Sequence, residues 1–122
     1  NKIQRYPIAV KQVGWGQGFD TDSDAEQTAL NKLLHLFRTE EPFLNKEVNI
    51  SELSNQLGVN RNYMVSVINV RMNMTFNTFV DRYRVNYMKK YKAENPNVNP
   101  KELMKIAGFS SVKTFKNAFK RL

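Results

Sequence analysis

The chain has 122 residues, a net charge of +8, 41% hydrophobic residues and no cysteine. This length is typical of one domain, and eight Phe, five Tyr and one Trp are enough to build a core, which excludes a disordered or low-complexity chain. The lack of cysteine excludes disulfides, thiolate zinc sites and cysteine nucleophiles, and no apolar run resembles a membrane span or a signal peptide.

The charge is distributed unevenly along the chain. Residues 1–58 contain six basic and eight acidic residues, whereas residues 59–122 contain 13 basic and only three acidic ones, a net of +10. Such a density usually faces phosphate groups. An anionic membrane is a weaker alternative, because it requires a basic helix with an exposed apolar face and the apolar faces here are expected in a core.

Residues 1–22 combine three glycines and a proline with scattered apolar residues and have no regular period. We interpret them as a linker or as the edge of an upstream domain. The chain begins with Asn1 rather than Met, so we expect it to be a fragment of a longer protein.

The first predicted helix follows this segment. Ser23 and Glu26 have the spacing of a capping box, and apolar residues then recur at helical intervals as far as Phe37. The helix should end near Glu41, because the residue before Pro42 disfavours helical backbone.

Two short helices are predicted next. Asn49 and Glu52 are spaced to cap the first of them reciprocally, Gly58 can adopt the left-handed conformation at its end, and Asn60 can cap the second. Each helix has one apolar face, so the two form a helix-turn-helix candidate over about 49–71. The apolar faces comprise Ile50, Leu53 and Leu57 in the first helix and Tyr63, Met64, Val67 and Ile68 in the second.

A longer linker helix is predicted over about 75–94, from Thr75 to the break at Asn95 and Pro96. About 18 residues in a helix span about 27 Å. Arg82 and Arg84 are predicted to have structural roles, pairing with nearby carboxylates or with the carboxyl ends of helices. The helical spacing of the aromatic residues favours a core face over a base-stacking platform; they are Phe76, Phe79, Tyr83, Tyr87 and Tyr91.

The pattern of the first helix pair then recurs over about 99–121. Asn99, Pro100 and Glu102 form a helix start, Gly108 can make the turn, and Ser111 can cap a last helix. The predicted core side of that last helix consists of Phe115, Ala118 and Phe119.

The recurrence is an internal repeat. Gly58 and Gly108 are 50 residues apart, and Met64 and Ile68 correspond to Phe115 and Phe119 once one inserted residue is allowed. The predicted fold class is therefore all-α, with two helix-turn-helix subdomains joined by a long linker helix. Because major-groove faces of B-DNA recur about every 34 Å, one chain of this kind could fill two consecutive grooves.

Two segments resemble the DNA-binding domain of AraC/XylS-type transcription regulators. They are ISELSNQLGVNRNYMVSVINVRMNMTFNTFVDRYRV and ELMKIAGFSSVKTFKNAFKR. The resemblance covers about 79 of the 122 residues, from Phe43 to Arg121, and the helix predicted over 23–40 corresponds to the first helix of the family. Within 23–122 it implies a homeodomain-like tandem arrangement.

In that family two helices enter adjacent major grooves on one face of DNA, which by resemblance are Asn60–Arg71 and Ser111–Arg121. The chain also departs from the family pattern. Asn73 stands where glycine is usual, Met104 replaces a small alanine, and Leu122 ends the chain where the family continues into a final turn and helix. Asparagine tolerates the positive φ that the glycine position requires.

Side chains on the exposed faces of the two helices are predicted to read DNA. Donors and amides projecting from the first turns of a helix can reach base edges in the major groove, and valine can touch a thymine methyl group. The predicted base-reading residues are Arg61, Asn62, Val65, Ser66, Asn69, Val112, Lys113, Lys116 and Asn117. Residues at the margins are predicted to contact phosphates; they are Asn60, Arg71, Thr75, Ser111, Lys120 and Arg121.

Catalytic and metal chemistry find no support in the sequence. His35 is the only histidine, and its apolar surroundings predict a partly buried structural residue. The stretch from Asp20 to Asp24 begins like a calcium loop, but Ala25 and Asn31 occupy the positions of the required glycine and final glutamate. We therefore expect no catalytic residue, metal site or cofactor, and no small-molecule site in this fragment.

The function predicted from the sequence is specific binding of double-stranded DNA by the output domain of a bacterial, cytoplasmic transcription regulator. The expected partners are double-stranded DNA and an upstream sensor or effector domain of the same protein, with RNA polymerase as a further candidate. A membrane link of the full-length protein through other segments is left open. A nonspecific or RNA-binding helical module and a protein-interaction bundle remain the alternatives.

Overall fold

The computed structural model describes residues 21–122, with side chains from Asp24 onward. This part of the chain is all-helical, as predicted, with six α-helices, one 3₁₀ turn and no strand. The elements in chain order are α1 (Thr21–Glu40), the 3₁₀ turn (Pro42–Leu44), α2 (Ile50–Leu57), α3 (Arg61–Met72), α4 (Phe76–Glu94), α5 (Pro100–Ile106) and α6 (Val112–Arg121).

None of the described helices combines the length and the apolar character that crossing a membrane would require.

Helix α1 differs from the prediction at its start and agrees with it at its end. It begins at Thr21, so Ser23 lies inside the first turn and is not the N-cap residue that the capping-box spacing predicted. Most of the segment interpreted as a linker, residues 1–20, lies outside the described residues. At the other end Glu41 adopts left-handed backbone with φ 50°, and Pro42 opens a 3₁₀ turn that the sequence pattern did not reveal because three residues have no measurable period.

The two helix pairs repeat the same hydrogen bonds 50 residues apart. We call α2 with α3 the first helix pair and α5 with α6 the second. In the first pair the Gly58 N–H donates to Asn55 O at 3.1 Å and the Val59 N–H to Ser54 O at 2.9 Å. In the second pair residues 108 and 109 make the equivalent bonds to residues 105 and 104, each at 3.0 Å. This is the helix ending that a left-handed glycine allows.

The helix starts use the predicted cap residues, but the reciprocal bond predicted from Glu52 to Asn49 does not form, and only the Asn49 side chain caps α2. The side chains of Asn49 and Asn99 accept backbone N–H groups at the starts of α2 and α5, again 50 residues apart. Asn60 and Ser111 cap α3 and α6 through the N–H of the residue three positions on. These two caps are 51 residues apart, one more than Asn49 and Asn99. The extra residue is the single insertion that the predicted repeat allowed in its second copy. Asn73, which follows α3, has φ 52°, the left-handed conformation expected of that position.

The first helix pair belongs to a large core built with α1, the 3₁₀ turn and the first half of α4. Phe37 is fully buried at its centre, with ring centroids 4.8 Å from Phe79, 4.9 Å from Tyr83 and 5.8 Å from Phe43. The core prediction is confirmed for Phe76, Phe79, Tyr83 and Tyr87, which belong to this core or pack against it, but not for Tyr91. Tyr87 and Tyr91 continue the row with their ring centroids 6.1 Å apart.

Near the middle of α4, where Arg121 of α6 also reaches back to Asp81, the second helix pair packs around a much smaller core. Its buried apolar residues are Val85, Ala107, Phe109 and Ala118. The prediction that Phe119 belongs to the core is wrong, because 48% of this residue is exposed. No helix of the described chain covers its outer side, and the ring instead meets Phe115 edge to face with centroids 4.7 Å apart.

His35 is exposed, so the prediction of a partly buried histidine is also wrong. Helix α1 buries Leu33, Leu36 and Phe37 on its inner side, and the 100° rotation per residue turns His35 outward between them. Apolar neighbours in the sequence therefore did not mean apolar neighbours in space.

Candidate nucleic-acid interface

The candidate interface consists of the outward faces of α3 and α6, the second helices of the two pairs. On α3 the inward side is fixed by Met64, Val67 and Ile68, each no more than 1% exposed. The opposite side therefore faces away from the core, and it exposes Asn62, Ser66 and Asn69, which are spaced at i, i+4 and i+7. Val65 lies at the edge of this face, half-buried against the core.

Arg61 begins this helix, and its side chain is exposed but held in place. Its Nε donates to Ser51 Oγ at 3.1 Å, and its Nη1 donates to Asn62 Oδ1 at 3.1 Å. The guanidinium is thereby fixed between α2 and the first turn of α3. Because an arginine side chain has five N–H donors, others remain that could bind a further partner. Sequence reasoning did not identify Ser51 as its partner.

Helix α6 presents a basic face. A capping box between Ser111 and Thr114 fixes its start. Lys113, Lys116 and Lys120 are all exposed, and their spacing of i, i+3 and i+7 places them on one side of the helix. The ten residues of α6 contain three Lys and one Arg but no acidic residue, so this side is strongly positive. Val112, 44% exposed, lies at the same end as the cap.

Asn117 lies on the side of α6 that faces the first half of the molecule. It borders a polar cleft of about 200 Å³ between α6 and the start of α4. Lys46 and Asn77 also line this cleft, and neither was singled out from the sequence. The loop before α2 and the first turn of α4 are distant in sequence from α6, so only the tertiary fold brings them together.

Three of the predicted phosphate-contacting residues cap helices in the structure. The side chains of Asn60, Thr75 and Ser111 serve as N-caps. Backbone N–H groups at these helix starts, rather than the side chains, are then the donors available to an anion.

Two of the predicted arginines are engaged within the protein. Arg71 Nε lies 3.0 Å from Glu26 Oε1, which joins α3 to α1. Arg121 Nη2 lies 2.7 Å from Asp81 Oδ2, which joins α6 to α4. Lys120 is exposed at the end of α6, and its phosphate contact stays a prediction.

Val70 is a surface feature that sequence reasoning missed. It is 69% exposed, the largest exposed fraction among the large apolar residues of the described chain. It lies one turn after Ser66 on α3, so it extends the outward face of this helix by an apolar position. A helical projection centred on the buried residues of α3 would have identified it.

Two titratable groups in the described part of the chain have clearly shifted pKa values. Burial lowers the pKa of the Arg84 guanidinium, and the neighbouring Asp81 carboxylate opposes this shift. Burial raises the pKa of the Tyr87 hydroxyl, with smaller contributions from Glu41, Tyr91 and Glu94. Both groups lie on α4, away from the outward faces of α3 and α6. Within residues 21–122 there is no cluster of three or more His, Asp or Glu residues that could hold a metal ion.

Comparisons with protein-family models, with curated protein sequences and with solved structures found no match to this chain.

Proposed function

We propose that this chain binds double-stranded DNA with two helix-turn-helix units, α2–α3 and α5–α6, whose second helices enter successive major grooves. One observation supports this above all others. The same capped helix pair occurs twice, and in each copy the second helix presents a polar or basic face to solvent while its other side is packed.

The length of α4 is compatible with this arrangement. Its 19 residues span about 28 Å at 1.5 Å per residue. The first helix pair packs near its start, and the core of the second pair lies near its middle, with α6 reaching back to Asp81. The proposal requires the outward faces of α3 and α6 to match the distance of about 34 Å between successive major-groove faces.

The side chains on the two faces differ in the contacts they offer. Arg61, Asn62 and Asn69 on α3 provide a guanidinium and two amides, the groups that pair with the edges of guanine and adenine. Lys113 and Lys116 on α6 provide donors to guanine and Val112 an apolar contact to thymine. Lys120 is assigned to phosphate. Arg121 is a weaker candidate for a phosphate contact than Lys120, because its side chain already pairs with Asp81.

Within this proposal the chain is the DNA-binding output domain of a bacterial transcription regulator of the AraC/XylS type. The motifs quoted above support that assignment, and the positive second half of the chain supports the choice of partner. An upstream sensor domain and RNA polymerase would be further partners of the full-length protein.

The proposal is tested by selecting duplexes from a random library and measuring affinity for the winner against salt concentration. A specific reader enriches one sequence and binds it more tightly than unrelated duplexes of equal length, and its affinity falls with salt because counterions are released. Salt-dependent binding without any enriched sequence would favour a nonspecific module. Absence of duplex binding would favour a protein-interaction bundle.

Single substitutions then distinguish residues that contact bases from residues that contact phosphates. Arg61→Ala should cost roughly 1–3 kcal/mol on the selected site and relax preference at one or two base pairs, whereas Lys120→Ala should weaken all duplexes alike and reduce the salt slope by about one. Lys90→Ala removes the same charge from an exposed position on α4, outside the two proposed reading helices, and serves as the matched control. If Arg61→Ala leaves sequence preference unchanged, α3 does not read bases through this residue.

A further inference from the structure

Three charged side chains meet where the two helix pairs approach each other. We call Asp81, Arg84 and Arg121 the polar hub. Asp81 and Arg84 are only 4% and 9% exposed, which is unusual for charged residues. They lie three residues apart on α4 and therefore on one side of that helix.

Arg121 connects the end of α6 to the hub. Its Nε and Nη2 both lie close to the same oxygen, Asp81 Oδ2, at 2.8 Å and 2.7 Å. The side chain of Arg121 is 42% exposed while that of Asp81 is 5% exposed, so the carboxylate is the buried partner. A charge-assisted bond of this geometry is directional, and it fixes the last turn of α6 against α4.

Arg84 connects the hub to both halves of the molecule. Its Nε donates to Phe43 O at 2.7 Å and its Nη2 to Asn45 O at 3.0 Å. These carbonyls belong to the 3₁₀ turn and its end, next to the first helix pair. The guanidinium also lies 5.5 Å from the centre of the Phe109 ring, which belongs to the turn of the second pair. One side chain thus contacts both halves.

Gly108 brings the backbones themselves together at the same point. A Cβ atom at this position would overlap the carbonyl oxygen of Phe43 and would lie 2.9 Å from Arg84 Nε. The turn of the second pair can therefore approach the 3₁₀ turn only because residue 108 has no side chain.

The role of the hub is better explained as holding the helices in one relative orientation than as adding to the stability of the fold. Burying charged groups carries a desolvation penalty that their mutual attraction often only offsets, and the best-attested role of buried polar groups is to select one arrangement. The core between the second pair and α4 has only four buried apolar residues, one of them Val85 of α4, and apolar contacts are not directional. The Arg121–Asp81 ion pair is a directional contact between α6 and α4, and the hydrogen bonds of Arg84 in turn fix α4 to the 3₁₀ turn beside the first pair.

We infer that the polar hub sets the orientation of α6 relative to α3 and thereby the spacing of the two half-sites that the protein accepts. The second part of this inference rests on the proposed function. Asp81 is a positioning residue in this scheme, because its burial keeps it away from DNA.

The first experiment measures orientation without DNA. The chain has no cysteine, so spin labels can be introduced with Ser66→Cys on α3 and Lys116→Cys on α6, and the distance between them measured by pulsed electron resonance. Asp81→Asn is expected to broaden the distribution of distances. Glu26→Gln, which removes the carboxylate that pairs with Arg71 within the first half, makes the same chemical change and should leave the distribution narrow. An unchanged distribution in Asp81→Asn would overturn the inference.

The second experiment measures spacing on the selected duplex. Inserting two base pairs between the half-sites rotates one relative to the other by about 70°, and we expect the wild-type chain to lose about tenfold or more in affinity, as for a mismatch. Asp81→Asn should lose clearly less on insertion while binding an isolated α3 half-site as the wild type does. Glu26→Gln should behave as the wild type. Retention of the full spacing penalty by Asp81→Asn would show that the hub does not set the spacing.

Arg121→Gln provides a second route if Asp81→Asn fails to fold, as checked by circular dichroism, because Arg121 is the more exposed partner. It should produce the same broadening of the label distances. Failure of the wild type to select any duplex would contradict the proposed function alone, since the label distances test the hub without DNA.

Discussion

The turns of the two helix pairs have the same backbone and opposite surroundings. Gly58 and Gly108 have φ values of 70° and 97°, and each ends the first helix of its pair with the same two hydrogen bonds. A Cβ atom at Gly58 would meet nothing within 4 Å, whereas one at Gly108 would overlap Phe43 O. The first glycine serves only the local turn, and the second also serves a contact between distant parts of the chain.

The two pairs also differ in how completely their core residues are buried. Met64 and Ile68 of α3 are fully buried, whereas Phe115 and Phe119, their equivalents in α6, are half-buried and 48% exposed. Helix α1 packs on α3, and the described chain provides no corresponding helix over α6. Equal patterns in the sequence thus produce a strongly supported first pair and a second pair that depends on α4 and the hub.

The largest expected effect is in the core of the first pair. Phe37→Ala should destabilise the domain by about 3–5 kcal/mol, the range for a fully buried Phe. Phe119→Ala deletes the same atoms in the second pair and should cost about 1 kcal/mol or less because half of the residue is already exposed. Urea denaturation of both variants gives the comparison. Equal losses would show that the second pair is supported as firmly as the first.

The two glycines provide the next comparison. Gly108→Ala should cost about 2–5 kcal/mol, because backbone strain and overlap with a neighbouring carbonyl act together. Gly58→Ala should cost about 1–2 kcal/mol for the left-handed backbone alone. Thermal unfolding of the two variants measures the difference. If Gly58→Ala proved the more damaging, the close approach at Gly108 would be unimportant for stability.

A smaller effect of opposite sign is expected at Ser54. This residue is 1% exposed, and its hydroxyl oxygen has no hydrogen-bond partner. Ser54→Ala removes an unsatisfied polar atom and should stabilise the domain by about 1 kcal/mol. The repeat places Met104 at the equivalent position of the second pair, where a half-buried apolar side chain has no such deficit. A denaturant midpoint for Ser54→Ala below that of the wild type would contradict this expectation.

The smallest effect concerns Tyr87, which contacts the cores of both halves. Burial raises the pKa of its hydroxyl above the ordinary value of 10.0. The folded state therefore holds this proton more firmly than the unfolded state, and stability should decline as the pH rises above about 10. Absorbance titration should show a tyrosine ionising later in the wild type than in unfolded chain. Tyr87→Phe should remove that late component; persistence of the component would assign it to another tyrosine.

The sequence alone determined the local structure of this protein. Asparagine and serine caps, the left-handed glycines and the helix-breaking prolines act within a few residues, so their effects could be inferred at Asn49, Gly58, Asn99 and Ser111. Their regular separation also revealed the repeat before any coordinates. The all-α class and the outward positions of Asn62 and Lys113 followed from the same short-range rules.

The tertiary structure decided everything that depends on residues far apart in the sequence. It exposed Phe119 and His35, engaged Arg71 with Glu26 and Arg121 with Asp81, and placed Arg84 between the two halves. The separations of 45 and 40 residues in the two ion pairs show why no local pattern could predict them. Periodicity states which side of a helix is apolar, but only packing determines whether another element covers that side.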